Sequence, residues 1–106
     1  MRIRKNKKII LKKLKTIIDE EANQFKGFEE EGLEVYANVS PLNNKLYYEI
    51  YGARVNEMLK VLVDSNMDCF EVGDGIQIYS DKVDYTIVSV KRYSHLVLEV
   101  QKYVSF

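Results

Sequence analysis

Apolar side chains recur at helical spacing between positions 3 and 26, and this stretch constrains the fold more than any other part of the chain. On a helical wheel, eight of these side chains fall within one arc of about 140°. They are Ile3, Ile10, Leu11, Leu14, Ile17, Ile18, Ala22 and Phe25. The opposite face carries four lysines, Lys5, Lys8, Lys12 and Lys15. The pattern predicts a long N-terminal amphipathic helix that stops at Gly27.

The length of this helix bears on how the chain is organised. A helix of about 24 residues extends about 36 Å, whereas a domain of about 100 residues has a radius of gyration of about 13 Å. With 106 residues, the chain has the size of one domain. We therefore predict a single domain over residues 1–106, with residues 1–8 as a basic arm that can overhang the body.

The rest of the chain alternates between strand and helix patterns. Apolar and polar residues alternate over 33–39 and again over 46–51, with turn residues between them, which predicts a β-hairpin. Residues 55–66 show helical spacing and predict a second helix. Further strands are expected at 68–72, 76–79, 83–91 and 96–104. The last segment also fits a helical face, but its valines favour a strand.

These elements together predict an α+β fold. Its order is a long N-terminal amphipathic helix, a β-hairpin, a second helix and then a mainly antiparallel sheet.

Charge is divided sharply along the chain. Positions 1–15 hold eight basic residues and no acid, whereas the other 91 residues hold eight basic residues and all 16 acids. In a helix, lysines that come first and acids that follow at 19–21 oppose the helix dipole. Because a sequence that breaks a local rule often does so for function, we predict that the lysine face binds a partner.

Three kinds of partner fit a basic segment. A protein with an acidic surface, or the acidic body of a second copy, is the first expectation. Nucleic acid is the second, since lysines contact phosphates, although the acidic body would repel a duplex. Membrane binding is not expected, because the apolar stripe is needed for the core.

Tyrosines form a second candidate surface. In the predicted hairpin, Tyr36, Tyr47 and Tyr51 lie on the face opposite the apolar residues, and exposed tyrosines are frequent in protein interfaces. Glu34 and Glu49 share that face and disfavour stacking with nucleic-acid bases. The alternative is that a helix covers this face and the tyrosines belong to the core.

Residues for catalysis or metal binding are sparse. His95 is the only histidine and Cys69 the only cysteine, so multi-histidine zinc sites and disulfides within the chain are excluded. Acids on both sides of Cys69 disfavour a reactive thiolate. We predict no catalytic, cofactor-binding or metal-binding residue.

The sequence thus predicts a small non-enzymatic protein-binding factor, an inhibitor or adaptor, that acts through Lys5, Lys8, Lys12 and Lys15 and through the three tyrosines. The alternatives are a nucleic-acid accessory protein that uses the basic N-terminal helix, and a small enzyme built on Cys69 and His95. No apolar run is long enough for export or membrane insertion, so a cytoplasmic location is expected. The 36 Ile, Lys, Asn and Tyr residues against 13 Gly, Ala, Arg and Pro suggest an AT-rich source, a low-GC bacterium or a phage or other mobile element.

Overall fold

The computed structural model describes residues 5–18, 20–21, 24–42, 45–64 and 69–103. Within these residues the chain forms eight β-strands, one short α-helix and one 3₁₀ segment. In chain order they are β1 Lys7–Lys12, β2 Leu14–Ile18, β3 Gln24–Phe28, β4 Leu33–Pro41, α1 Lys45–Tyr51, the 3₁₀ segment Gly52–Glu57, β5 Met58–Asp64, β6 Gly75–Gln77, β7 Tyr85–Arg92 and β8 His95–Lys102.

Six of the strands close into an antiparallel barrel in the order β1-β4-β5-β8-β7-β6. The other two, β2 and β3, pair only with each other among the described residues and form a separate two-stranded ribbon. The ribbon continues directly from β1, with Lys13 between the two strands. Phe28 at its root packs edge-on against Tyr103.

The core fills the barrel interior with alternate residues of each strand, as the period of two in a strand requires. Ile9 lies opposite Val35, and Val61 lies opposite Leu98. The buried interior residues are Ile9, Leu11, Val35, Ala37, Val39, Val61, Val63, Phe70, Ile76, Ile78, Ile87, Leu96, Leu98 and Val100. A smaller cluster of Leu42, Val55 and Met58 lies between the 45–57 segment and the barrel wall.

The predicted N-terminal helix is wrong, because residues 7–12, 14–18 and 24–28 are strands. In β1, Ile9 and Leu11 point into the barrel, and β-branched isoleucine packs well on a pleated surface. The arc that the apolar positions of this stretch form on a helical wheel therefore does not mark the face of a helix. Ile3 and Ala22 of the predicted helix lie outside the described residues.

The predicted hairpin and second helix are also wrong. The first strand of the hairpin is present as β4, but residues 45–51 form α1, and a 3₁₀ segment and β5 replace the helix expected over 55–66. Gly52, with φ of +65°, follows α1 directly and adopts a backbone conformation that L side chains rarely take. The α+β fold class is accordingly corrected to an antiparallel barrel with one short helix.

Strands expected later in the chain are largely found. Residues 83–91 and 96–104 correspond to β7 and β8, with residue 104 outside the described part. Of the strand expected at 68–72, residue 68 lies outside the described part and 69–72 form a turn that leads into the short β6. Neither helical element in the described residues is long and apolar enough to cross a membrane.

Candidate functional site

Residues 45–57, which comprise α1 and the 3₁₀ segment, lie across the outer wall of the barrel, and we call them the helical cover. Tyr47, Tyr51 and Val55 of the cover pack against Met58 and Val88. The outer wall beneath the cover belongs to β5, β8 and β7, which are neighbours in the barrel. The cover therefore screens one patch of this wall from solvent.

A carboxylate is buried in that patch. Glu99 of β8 is 0% exposed, although its neighbours Leu98 and Val100 point into the barrel and Glu99 points outward. A charge removed from water is costly unless it is paired. Glu99 therefore needs partners on the barrel wall or on the cover.

Both of its oxygens have such partners. The Tyr51 hydroxyl donates a hydrogen bond to Glu99 Oε2 at 2.6 Å. The Lys91 ammonium lies 2.6 Å from Oε1, an ion pair on a side chain that is 37% exposed. Lys91 is opposite Val97 in the β7–β8 register, so it reaches Glu99 diagonally across the ladder. We call Glu99, Tyr51 and Lys91 the anchor triad, because it joins the cover to the barrel.

The cover has two further attachments to the wall. The Lys91 ammonium lies 5.3 Å from the centre of the Tyr47 ring, within the range of a cation–π contact. Arg54 stacks over the Tyr51 ring at 5.7 Å and donates a hydrogen bond to Gln101 Oε1. Three side chains of the cover, Tyr47, Tyr51 and Arg54, thus fix it to the wall by polar or cation–π contacts, in addition to its apolar cluster.

The pKa values of Tyr51 and Lys91 are both raised in this arrangement. Burial, together with the hydrogen bond to Glu99, raises the pKa of Tyr51 from 10.0 to about 12. Contact with the Glu99 carboxylate raises the pKa of Lys91 above 10.5, and burial opposes this less strongly. Near neutral pH, Tyr51 is therefore a neutral donor and Lys91 a cation, so neither is poised as a base or nucleophile. The arrangement is suited to attachment.

We expect the ionisation of Tyr51 to be displaced to high pH in an alkaline absorbance titration at 295 nm. When the titration curve of Tyr51→Phe is subtracted from that of wild type, the remaining transition should have its midpoint near pH 12. Because the folded-state pKa lies above the unfolded value of 10.0, the stability contributed by Tyr51 is complete below about pH 10 and is lost as pH rises toward 12. Tyr48→Phe is the control, and a difference curve near pH 10 for Tyr51→Phe would contradict the burial of this hydroxyl.

Three large apolar side chains of the cover are exposed. Leu46, Tyr48 and Ile50 are 59%, 55% and 57% exposed, and α1 contains no buried residue. Leu46 and Ile50 are four residues apart and lie side by side on one flank of the helix, whereas Tyr48 lies on the other flank. The structure thus presents exposed apolar side chains on both flanks of the cover that the anchor triad fixes.

Most lysines proposed from the sequence as binding residues have partners within the chain. Lys5 pairs with Asp64 at 2.7 Å and Lys8 with Glu34 at 3.6 Å. Lys12 donates a hydrogen bond to the Glu30 carbonyl. Lys15 is exposed on the ribbon. The other basic residues of the N-terminal segment include Arg2 and Arg4, which lie outside the described part of the chain.

The three tyrosines proposed as a binding face do not share a surface, because the hairpin that would align them is absent. Tyr36 is 61% exposed on the outer wall at β4, where it lies opposite Lys8. Tyr47 and Tyr51 belong to the helical cover and are half-buried on its inner side. The role of these residues in partner binding stays a prediction, and Tyr36 is the one with a large exposed surface.

The residues considered for an enzyme lie on different elements. Cys69 is half-buried in the turn before β6 and lines a groove of about 400 Å³ with Leu11, Lys13 and Leu33. His95 begins β8, and its Nδ1 lies 3.3 Å from the Ser94 hydroxyl. The structure shows no contact that would make Cys69 and His95 a nucleophile and its base within the described residues.

A second buried carboxylate anchors the ribbon. Asp74 is 3% exposed and accepts hydrogen bonds from Lys13 at 2.7 Å and from the Leu14 and Glu71 backbone N–H groups. Burial lowers the pKa of Lys13, but the hydrogen bond and charge of Asp74 outweigh this and raise it overall. Lys13 is therefore a structural cation at the ribbon root.

Glu99, Lys91 and Asp74 were not identified from the sequence as site residues. One signal was present: Glu99 interrupts the apolar run of residues 96–100. A lone carboxylate in such a run needs a buried partner or an exposed face. The partners, Tyr51 and Lys91, could not be inferred, because a helix–strand contact and a diagonal pair depend on the barrel topology.

No protein-family profile and no curated protein sequence matches this chain. Its fold is similar to that of protein SF1141 from Shigella flexneri 2a, a structural-genomics target whose structure was determined in solution. The TM-score is 0.69 with 14% sequence identity, and the match covers 97% of this chain and 96% of that chain. At this identity the likeness shows a shared fold and carries no information on function.

Proposed function

We propose that this chain is a non-enzymatic protein-binding factor whose contact surface is the helical cover and whose partner presents apolar side chains flanked by acidic ones. The observation that carries the proposal is the exposure of Leu46, Tyr48 and Ile50 on the cover. Leu46 and Ile50 form an adjacent apolar pair on one flank of α1, and exposed apolar residues with a polar rim are typical of interaction sites. Tyrosine is enriched in protein interfaces because it is large, rigid and has a polar end.

Charge on and beside the cover supports an acidic partner. Lys45 and Arg54 lie on the cover, and Lys60 and Lys91 point outward from the adjoining strands β5 and β7. The exposed carboxylates of the cover are Glu49 and Glu57. Glu99 is fully buried, so it presents no surface to a partner. The charges of Lys91 and Glu99 cancel, which leaves Lys45, Arg54 and Lys60 against Glu49 and Glu57, a small positive balance that favours acidic side chains in the partner.

Attachment of the cover supports a binding role as well. A flexible helix would lose conformational freedom when it bound a partner, and that loss weakens affinity. The anchor triad and the Arg54 contacts hold the cover on the barrel before any partner arrives. Tyr47 and Tyr51 would then support the surface from below, and the exposed residues would contact the partner.

Nucleic-acid binding by the N-terminal segment has less support. Lys5, Lys8 and Lys13 form ion pairs with carboxylates of the same chain. A phosphate would have to compete with these carboxylates, which reduces the electrostatic gain. Apolar contacts between a protein partner and Leu46, Tyr48 or Ile50 of the helical cover require no such exchange.

We expect Ile50→Asp to weaken partner binding by at least about 30-fold, because a buried charge at an apolar contact costs about 2 kcal/mol or more. Wild-type, Ile50→Asp and Val72→Asp proteins would each be immobilised and used to capture proteins from the same low-GC bacterial lysate. Val72 is 65% exposed in a turn near the ribbon root, so its substitution is a matched control.

The proposal is supported if acidic proteins are captured by wild type and by Val72→Asp but not by Ile50→Asp. Purified captured protein would then give the affinities by calorimetry. The same set of proteins on all three columns, or basic species alone, would contradict the proposal.

A further inference from the structure

Each strand of the β2–β3 ribbon has one edge that no other described strand covers. Within the described residues, β2 pairs with β3 alone, and neither strand pairs with the barrel. An open edge presents backbone N–H and C=O groups that can pair with another strand. Lys15, Thr16 and Ile18 of β2 are all exposed. The ribbon is therefore a surface on which a further strand can be added.

Two hydrogen bonds at the ribbon root show which backbone groups are free. The Glu29 N–H donates to the Lys13 carbonyl at 2.9 Å, so the odd-numbered positions of β2 face β3. The Leu14 N–H points the other way and donates to a carboxylate of the neighbouring turn at 3.0 Å. By the alternation of an antiparallel ladder, the N–H and C=O groups of Thr16 and Ile18 point to the open edge.

We propose that two copies of this chain pair antiparallel through the open edges of β2, with Thr16 of one copy opposite Ile18 of the other. Such a pair exchanges two backbone hydrogen bonds, and the two-fold axis makes it occur twice. Thr16 and Ile18 thereby use all their free groups, and Leu14 keeps its existing bond. The two ribbons become one four-stranded sheet.

Charge along the ribbon favours this arrangement. Lys15 is exposed near the root, and Glu20 and Glu21 are exposed at the tip. Antiparallel pairing brings the root of one ribbon to the tip of the other, so Lys15 of each copy lies beside the acidic tip of the second copy. Parallel pairing would instead set lysine against lysine, which costs free energy.

The exposed Ile18 side chain favours dimerisation through the edge of β2 rather than that of β3. Ile18 is 64% exposed, and pairing would pack it beside Thr16 of the second copy. β3 contains Gly27, which weakens a strand, and Phe28, which already packs on the barrel. β2 consists mainly of residues with high strand propensity and contains no proline or glycine to protect its edge.

The interface is small, because each copy contributes one strand of five residues. Stable complexes bury about 1,200 Å² or more, so we expect a reversible dimer that forms at high protein concentration. Sedimentation velocity should show the 12.4 kDa monomer at about 10 μM and twice that mass at about 500 μM.

The decisive variant is Thr16→Pro. It removes the outward N–H and leaves the β2–β3 ladder intact, because that ladder does not use this group. We expect dimerisation at least tenfold weaker in Thr16→Pro and unchanged in the matched control Thr16→Val. Lys15→Glu should weaken the dimer, and Lys15→Glu combined with Glu20→Lys should restore it.

Amide hydrogen exchange on the wild-type protein gives a test that needs no variant. The Thr16 and Ile18 amides should be protected only at the high concentration, whereas the Lys15 amide should be protected at both. Equal exchange at the two concentrations, a wild type that stays monomeric, or a dimer that persists in Thr16→Pro would each overturn the proposal. A dimer lost in Ile50→Asp and kept in Thr16→Pro would assign self-association to the helical cover instead.

Discussion

Replacement of Lys91 by methionine is expected to destabilise the protein by about 2–3 kcal/mol at neutral pH. Removing one member of a buried ion pair costs about 3–5 kcal/mol because the other charge stays buried and uncompensated. Glu99 is 0% exposed, so its carboxylate cannot recover hydration without displacement of the helical cover. Lys91 itself is 37% exposed, which places the expected cost below that range. Urea denaturation monitored by circular dichroism would measure the change.

A double variant separates this mechanism from a general packing defect. Glu99→Gln combined with Lys91→Met removes both charges, keeps an oxygen acceptor for the Tyr51 hydroxyl, and should recover most of the lost stability. If the double variant is as unstable as Lys91→Met, the uncompensated charge is not the cause.

Asp74→Ala is expected to cost about 3 kcal/mol and to lower the melting temperature by about 10–15 °C. The substitution removes the acceptor for two backbone N–H groups, those of Leu14 and Glu71, and for the Lys13 ammonium. These three hydrogen bonds are partly buried, so donors left without the carboxylate regain only part of their hydration. Differential scanning calorimetry would measure the melting temperature.

The site of this effect can be tested as well as its size. Because Asp74 joins the ribbon root to the barrel, the Leu14 amide should exchange faster in Asp74→Ala than in wild type, whereas amides of β5 and β8 should respond only to global stability. Asp81→Ala, at an exposed turn position, is the control and should change stability by about 0.5 kcal/mol or less. Equal stability of the Asp74 and Asp81 variants would remove Asp74 as the link between ribbon and barrel.

Helical spacing was misleading in two segments for one physical reason, which is that barrel strands here are covered on both faces. In β1, Ile9 and Leu11 point inward, and Ile10 points outward but packs against Gly32. In β5, Val61 and Val63 are interior, while Met58 is buried under the helical cover. Apolar residues on both faces of a strand can be read as the i, i+3, i+4 pattern of a helix.

The opposite error concerns α1, whose residues 46–51 were predicted to form a strand. Residues 46–51 alternate between Leu46, Tyr48, Ile50 and their neighbours in a way that suits a half-buried strand. In the structure, Tyr47 and Tyr51, four residues apart, face the barrel from one side of α1. Contact with the anchor triad and the apolar cluster thus overrides a local strand preference, which is only a weak determinant of structure.

The dipole conflict inferred for the N-terminal segment disappears once that segment is a ribbon. A strand has only a small net dipole, so lysines that precede acids carry no such penalty there. The same order of charges instead gives the ribbon a basic root at Lys13 and Lys15 and an acidic tip at Glu20 and Glu21. The order of charges is a property of the sequence, but its effect on free energy depends on whether the segment is a helix or a strand.

The sequence by itself determined the division of charge, the scarcity of catalytic residues, and the strands whose apolar residues alternate with polar ones, such as β4. These properties depend on composition and on neighbours along the chain. Only the tertiary structure decided that β1 and β5 are strands, that Glu99 is buried with Tyr51 and Lys91, and that basic and acidic parts neutralise each other within one barrel. The physical reason is that each of these features depends on residues far apart in sequence, brought together by strand pairing between β1, β4, β5 and β8.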